Sequence, residues 1–182
     1  MTRGFYGGSR NNHGALFLSE TRKISREKME KELIDLLQED MIRLNITVKN
    51  WQEALSAGVQ LLIDAGGAEP RYLDNIFKMI EELGPYVVIA PGLALGHSGP
   101  ESGVNFTCFS LVTLKEAVPF GVPDNDPIGI IFSFAAPNKE AHMQALRQMA
   151  MFCMVKKNLE SIRKAEKVSE VRDLLKQYFE KK

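Results

Sequence analysis

The spacing of apolar residues along the chain predicts several helices. Asn50 precedes one of them and has Glu53 three residues later, a pattern typical of an N-cap whose side chain accepts a hydrogen bond from the first helical turn. Gly66 and Gly67 end that helix, because glycine readily adopts the left-handed backbone that closes a helix. The predicted helical segments are 25–38, 50–66, 70–84, 138–151 or beyond, and 168–178, and Asn138 can cap the fourth of them.

Short apolar runs rich in β-branched residues predict the strands. The run 128–135 is apolar almost throughout, which is typical of a strand buried on both faces. The run 86–90 predicts another buried strand, and Pro91-Gly92 separates it from the apolar residues 93–95. Strands are also expected over 42–46 and 106–114, with a proline-rich loop at 119–127. Because helices come before and after the strands, we expect an α/β fold with a sheet covered on both faces.

Composition and charge narrow the functional classes. A chain of 182 residues, 45% of them hydrophobic, can bury one substantial core. Lys plus Arg and Asp plus Glu number 23 each, so no net field attracts nucleic acid. No apolar run approaches the roughly 18 residues needed to span a bilayer, and no signal peptide is evident, so a cytoplasmic location is expected.

The first part of the chain lacks apolar periodicity. Residues 1–24 are rich in Gly, Asn and Arg, so we expect a flexible leader, or an extension that arises from gene calling or cloning, since Met29 is also a natural start. Residues 25–182 are then expected to form a single domain.

Nothing in the sequence indicates a metal site. Cys108 and Cys153 lie in apolar surroundings without a nearby Cys or His, which favours buried free thiols. Asp124 and Asp126 alternate with Asn125 before Pro127, a pattern more typical of a turn than of paired ligands.

Two histidines are candidates for chemistry. His97 lies just beyond an apolar strand in a glycine-rich segment, and its neighbours alone favour a histidine in a surface turn. His142 lies in the first turn of a predicted helix, where a functional role and an exposed or capping role are equally plausible. A neutral imidazole is a good nucleophile at cytoplasmic pH, so either ring is chemically suited to carry a phosphoryl group.

Several short motifs occur in a fixed order, and together they are more specific than any one alone. They are Glu69-Pro70-Arg71-Tyr72, Gly84-Pro85-Tyr86, Ala90-Pro91-Gly92-Leu93-Ala94, His97, Pro100-Glu101-Ser102-Gly103-Val104, Leu111-Val112-Thr113-Leu114-Lys115 and Asp124-Asn125-Asp126-Pro127. This set resembles the ascorbate-type enzyme IIA component of the bacterial phosphoenolpyruvate-dependent sugar phosphotransferase system, which is similar to the fructose and mannitol IIA domains. The resemblance runs from about residue 33 to the C-terminus.

The resemblance implies a three-layer α/β/α sandwich with a mixed β-sheet. It also implies that His97 accepts a phosphoryl group from the carrier protein HPr and passes it to a cysteine of a IIB component, which serves a membrane IIC component. His142 matches the second histidine of the family's active site, a donor to the phosphoryl oxygens. The resemblance implies no cofactor and is compatible with a homodimer.

The loop around His97 is expected to bind the phosphoryl group. Gly96 and Gly99 remove side chains beside the histidine, so that a partner can approach and backbone N–H groups can face the anion, while Ser98 adds a hydroxyl donor. Glu101 is expected to be a solvated turn residue, with orientation of the unused His97 nitrogen as an alternative. The family usually has Pro before this histidine and, in the ascorbate branch, Gly-Arg after it, whereas here Gly96 precedes it and Ser98-Gly99 follow. These departures keep two alternatives open, a IIA-like regulatory or interaction domain with weak phosphotransfer, and a binding domain without it.

Overall fold

A computed structural model describes residues 33–180 of the chain. The predicted leader 1–24 and most of the predicted helix 25–38 lie outside these residues. The helices, numbered in chain order, are α1 (Leu33–Leu36), α2 (Trp51–Asp64), α3 (Arg71–Leu83), α4 (Lys139–Cys153), α5 (Lys156–Lys164) and α6 (Val168–Glu180). None of these helices is both long and apolar enough to cross a lipid bilayer.

The strands form one mixed sheet, which confirms the predicted fold class. They are β1 (Ile42–Ile46), β2 (Val88–Ala90), β3 (Leu93–Gly96), β4 (Cys108–Val118) and β5 (Ile128–Ala135), and their order across the sheet is β1-β4-β5-β3-β2. β5 runs parallel to β3 and antiparallel to β4, while β1 is parallel to β4 and β2 is antiparallel to β3. Because β3 and β5 each have a neighbouring strand on both sides, only their two ends are free to contact other groups at the edge of the sheet.

Small residues cover one face of the sheet, where α2 packs closely. A Cβ atom on Gly58 of α2 would lie 2.6 Å from the Ser133 hydroxyl, and the Ser110 hydroxyl donates a hydrogen bond to the Gly58 carbonyl at 2.6 Å. A Cβ atom on Gly96 would lie 2.8 Å from a methyl group of Leu55. Glycine at these positions therefore lets helix and sheet approach each other.

Aromatic residues cover the opposite face, against which α4 packs. Phe109 stacks on Phe134 with centroids 5.5 Å apart, and Phe152 of α4 meets Phe132 edge to face at 6.4 Å. The helices on the two faces make the three-layer sandwich that the resemblance implied.

The predicted helix caps are present. Asn50 accepts a hydrogen bond from the backbone N–H of Glu53 at 2.9 Å, and Asn138 accepts one from that of Ala141 at 2.9 Å. The Glu53 carboxylate bonds the N–H of Lys49, one residue before the cap, at 2.9 Å. The sequence signals thus locate the starts of α2 and α4 correctly.

Three details of the strands and helices differ from the predictions. The segment 86–90 is not a buried strand: only Val88–Ala90 is extended, at the sheet edge, where Ile89 is 44% exposed. β4 continues to Val118, because it pairs with β5 beyond the alternating region that marks it in the sequence. Helix α5 was not predicted, since it is short and mostly polar and holds few of its side chains in the core.

Candidate functional site

His97 lies directly after β3, on the aromatic face of the sheet. Its ring stacks on Phe134, with centroids 5.4 Å apart and an interplanar angle of 13°, and Tyr86 meets it edge to face at 5.4 Å. The Nδ1 atom is 2.9 Å from the backbone carbonyl oxygen of Leu95. A carbonyl only accepts, so this contact places the proton on Nδ1 and leaves the Nε2 lone pair free when the ring is neutral.

The surroundings of His97 favour the neutral, nucleophilic ring. Burial lowers the pKa of His97, and the nearby His142 lowers it further, while the hydrogen bond to the Leu95 carbonyl raises it. The lowering effects exceed the raising effect, because an apolar environment penalises the charged imidazolium. The ring therefore stays neutral at pH values where a solvated histidine is partly protonated.

Two tyrosines, the buried Tyr72 and the half-buried Tyr86, fix the backbone around His97. The Tyr72 hydroxyl, from α3, accepts the N–H of Ser98 at 2.9 Å and donates to the carbonyl of Phe134 at 2.8 Å. The Tyr86 hydroxyl donates to the carbonyl of His97. Burial raises the pKa of Tyr86 to about 12 and that of Tyr72 above the ordinary range, so both hydroxyls keep their protons. The backbone at His97 is therefore fixed by the end of β3 and by the hydroxyl groups of the two tyrosines.

His142 lies beside His97. Helix α4 places its ring 5.7 Å from that of His97 and 5.0 Å from that of Phe134, measured between centroids. Its Nδ1 atom is buried and has no hydrogen-bond partner among the described residues. Burial lowers the pKa of His142, whereas Glu101 raises it.

Gly96 and Ser98 have surroundings different from those expected of a phosphoryl-binding loop. Gly96 is buried, and its missing side chain makes room for Leu55 and Ser133 and not for an approaching partner. Ser98 is 2% exposed, and its hydroxyl lies 2.8 Å from that of Ser102. Both residues face the interior because the chain at this point is still continuous with the buried strand β3.

Gly99 makes room for the carboxylate of Glu101. A Cβ atom on Gly99 would lie 2.0 Å from Oε1 of Glu101, although the backbone there (φ −65°, ψ 159°) suits any residue. Glu101 is exposed and raises the pKa of His142. The carboxylate therefore acts on the second histidine, while the Leu95 carbonyl orients the first.

Asp126 stabilises a loop, and the two cysteine thiols are not activated. Both Asp126 oxygens accept backbone N–H groups, those of Phe120, Gly121 and Val122, each at 2.8 Å. Burial raises the pKa of Cys108 and of Cys153 to about 12, so neither thiol is activated. No group of three His, Cys, Asp or Glu residues within 33–180 could hold a metal ion.

The contacts of His97 were not visible in the sequence. Leu95 and Phe134 gave no chemical signal, because Leu95 acts through its backbone and Phe134 through its ring after folding brings them to the histidine. Tyr72 belongs to the Glu69-Pro70-Arg71-Tyr72 motif, which pointed to the family without showing that a hydroxyl would hold the loop.

The arrangement suits nucleophilic phosphoryl transfer. A neutral ring with its free Nε2 held in one orientation meets the demand for positioning, which dominates such reactions. A second imidazole with its centroid 5.7 Å away is close enough for a transferred group to lie between or beside the rings.

Comparison with known proteins shows which family the chain resembles. Residues 35–178 match the model of a family described as "Phosphoenolpyruvate-dependent sugar phosphotransferase system, EIIA 2". The chain is 41% identical over 141 residues to the ascorbate-specific PTS system EIIA component of Escherichia coli strain K12, covering 77% of this chain and 92% of that relative.

Solved structures show the same fold. A PTS IIA protein from Streptococcus mutans superposes with a TM-score of 0.71 at 32% identity, covering 76% of this chain and 88% of that one. The complex of enzyme IIA and phosphorylated enzyme IIB of the mannitol system from Escherichia coli matches with a TM-score of 0.69 at 24% identity, over 78% of this chain and 97% of that chain, and shows the fold alone.

Proposed function

The chain belongs to the EIIA 2 family of the phosphoenolpyruvate-dependent sugar phosphotransferase system, and we propose that it carries a phosphoryl group on His97 from HPr to a IIB component. The observation that supports this most directly is the contact between Nδ1 of His97 and the Leu95 carbonyl, which leaves Nε2 free as the nucleophile. As a carrier in this system it is a phosphotransferase component working in the cytoplasm.

The proposed phosphoryl transfer requires mainly that the reacting atoms are correctly positioned. The Nε2 lone pair attacks the phosphorus of phosphohistidine on HPr, the P–N bond of the donor breaks, and the donor ring keeps that electron pair. In the second step a thiolate of the IIB component attacks the phosphorus, and the bond to Nε2 breaks in the same manner. The proton of His97 stays on Nδ1 and donates a hydrogen bond to the Leu95 carbonyl throughout, which stabilises the phosphorylated ring.

His142 is the proposed donor to the phosphoryl oxygens. Its ring lies beside that of His97; burial lowers the pKa of His142, and the Glu101 carboxylate offsets part of this lowering. A neutral imidazole still donates a hydrogen bond through its protonated nitrogen, and the protonated ring would also offset the negative charge of the group. Gly99 supports this arrangement, because its missing side chain leaves room for the Glu101 carboxylate.

The proposed sugar is ascorbate or a related compound. Support comes from the relative at 41% identity, whose name specifies ascorbate. The sugar itself would be handled by the membrane IIC component, to which this protein connects through IIB.

The test is phosphorylation in a purified system. The protein is incubated with phosphoenolpyruvate, enzyme I and HPr, and its intact mass is measured. Wild type is expected to gain one acid-labile phosphoryl group, and His97→Ala none, because the nucleophile is lost. His142→Ala is expected to fold normally and to transfer more slowly to IIB.

Two results would contradict the proposal. Equal labelling of wild type and His97→Ala would remove His97 from the reaction. Slow labelling without onward transfer to any IIB component would favour a regulatory domain, an alternative motivated by Gly96, Ser98 and Gly99 standing where the family usually has Pro, Gly and Arg.

A further inference from the structure

A second candidate site lies at the opposite end of β3 and β5. His97 follows β3, whereas a cavity of about 440 Å³ opens beside Gly92 and Gly129, which lie at the start of β3 and β5. Its wall is completed by β4, the loop before β5 and the end of α5. This volume lies in the range of about 300–1,000 Å³ that is usual for small-molecule sites.

The cavity carries positive charge that the fold does not neutralise. Lys115 and Arg163 line it, and neither forms an ion pair within 4.0 Å with another residue of the described chain. Asp126 is the acidic residue in the lining, and its oxygens are already occupied by three backbone N–H groups. An anion in the cavity would therefore meet two cations that have no competing partner there.

The guanidinium group of Arg163 lies next to Gly92. Gly92 has φ +76°, a backbone conformation that side chains disfavour, and a Cβ atom there would lie 2.2 Å from Nη2 of Arg163. The guanidinium group thus packs directly against the backbone at the start of β3. Arg163 is itself exposed, and its planar guanidinium is better organised for bidentate binding than a lysine ammonium.

The other polar residues of the lining can form hydrogen bonds with hydroxyl groups, and the lining is unsuited to a nucleotide base. Asn45 and Asn125 provide amides, which can both donate and accept hydrogen bonds. Among the described residues that line the cavity there is no aromatic ring on which a nucleotide base could stack.

We propose that this cavity binds a small phosphate monoester that carries hydroxyl groups, such as a sugar phosphate. Arg163 and Lys115 contact the phosphate, since guanidinium binds phosphate through two parallel hydrogen bonds. Asn45 and Asn125 contact the hydroxyls. This site is separate from His97 and does not depend on the proposed phosphoryl transfer.

The test uses the full chain with His97→Ala, so that anion binding beside that histidine is removed. Glucose 6-phosphate, glucose and inorganic phosphate are titrated separately, and binding is followed by backbone amide NMR shifts. We expect glucose 6-phosphate to shift the amides of Gly92, Gly129 and Asn45 and to bind more tightly than the other two probes.

Replacement of the cations provides the control. Arg163→Gln is expected to weaken glucose 6-phosphate binding by about tenfold or more, the value of a charge-assisted hydrogen bond. Lys115→Gln is expected to weaken it less, and Arg147→Gln, an exposed arginine of α4 outside the cavity, to leave it unchanged. Thermal unfolding of each variant checks that the fold is intact.

Several outcomes would overturn the proposal. They are absence of binding, shifts confined to residues around position 97, and equal affinity in Arg163→Gln and Arg147→Gln. Equal binding of inorganic phosphate and glucose 6-phosphate would also overturn it, because the hydroxyl-binding part would then have no role.

Discussion

The two ends of the paired strands β3 and β5 have opposite physical character. At the His97 end the surroundings are aromatic, half-buried and hydrogen-bonded, and burial lowers the pKa of the histidine. At the Gly92 end an open cavity presents Lys115 and Arg163. One pair of strands therefore holds the proposed nucleophile at one end and a cationic surface at the other.

The helices that reach the two ends account for part of this difference. The first turn of α4 supplies His142 next to His97, while the last turn of α5 supplies Arg163 next to Gly92. Cations are favoured at helix C-termini, where the backbone carbonyls carry partial negative charge. The interior of the sheet is closed to ligands, so chemistry is confined to places where strand ends meet helix ends.

Adding a methyl group to glycine at each end should have the largest and most contrasting effect. At Gly96 a Cβ atom would lie 2.8 Å from a Leu55 methyl and 2.9 Å from the Ser133 hydroxyl, whereas at Gly129 it would lie 3.5 Å from Cβ of Ala117. Gly96→Ala should lower the free energy of unfolding by about 1–3 kcal/mol through overpacking. Gly129→Ala should change it by about 0.5 kcal/mol or less.

Urea unfolding of the two variants measures this contrast. Gly96→Ala should also slow phosphorylation, since the residue adjoins His97. Equal stabilities for the two variants would show that the site end is no more tightly packed than the cavity end.

The pH dependence of stability should reveal the buried neutral histidine. Burial lowers the pKa of His97 in the folded protein, so below the unfolded value of about 6.5 the unfolded chain binds a proton that the folded site resists. Stability should therefore fall as the pH decreases from about 7 to about 5. His97→Gln should reduce this slope, because glutamine does not titrate.

Unfolding curves of wild type and His97→Gln across that pH range provide the measurement. Arg163→Gln, at the other end, is the matched control and should keep the wild-type slope, since arginine stays charged throughout. A slope unchanged by His97→Gln would contradict the proposed neutral state.

The smallest predicted effect concerns the carboxylate beside the second histidine. Gly99→Ala should displace the Glu101 carboxylate, because the new Cβ would occupy its place, and Glu101→Gln should remove its charge. Both changes should lower the pKa of His142, since the carboxylate raises it in the wild type. The stability change should remain within about 0.5 kcal/mol, because both positions allow local adjustment.

NMR titration of the His142 ring measures this effect. Glu116→Gln, an exposed carboxylate on β4, is the control and should leave the titration unchanged. If Gly99→Ala and Glu101→Gln also left it unchanged, Glu101 would be the simple solvated residue that its sequence position suggested.

The sequence predicted much of the fold and part of the candidate site. The caps at Asn50 and Asn138 and the strand Ile128–Ala135 were located correctly, because each depends on residues close together in the chain. The edge position of β2 and the helix α5 were missed, because both depend on which neighbours the fold supplies.

By itself the sequence determined the fold class and the family and singled out two candidate histidines, because these follow from local periodicity and from motifs in a fixed order. Only the tertiary structure decided that Leu95 orients His97, that Ser98 faces the interior, and that Glu101 acts on His142. The cavity at the other strand end was also invisible in the chain, since its lining residues range from Asn45 to Arg163. Hydrogen bonds, burial and electrostatic interactions between distant segments exist only after folding has brought those segments together.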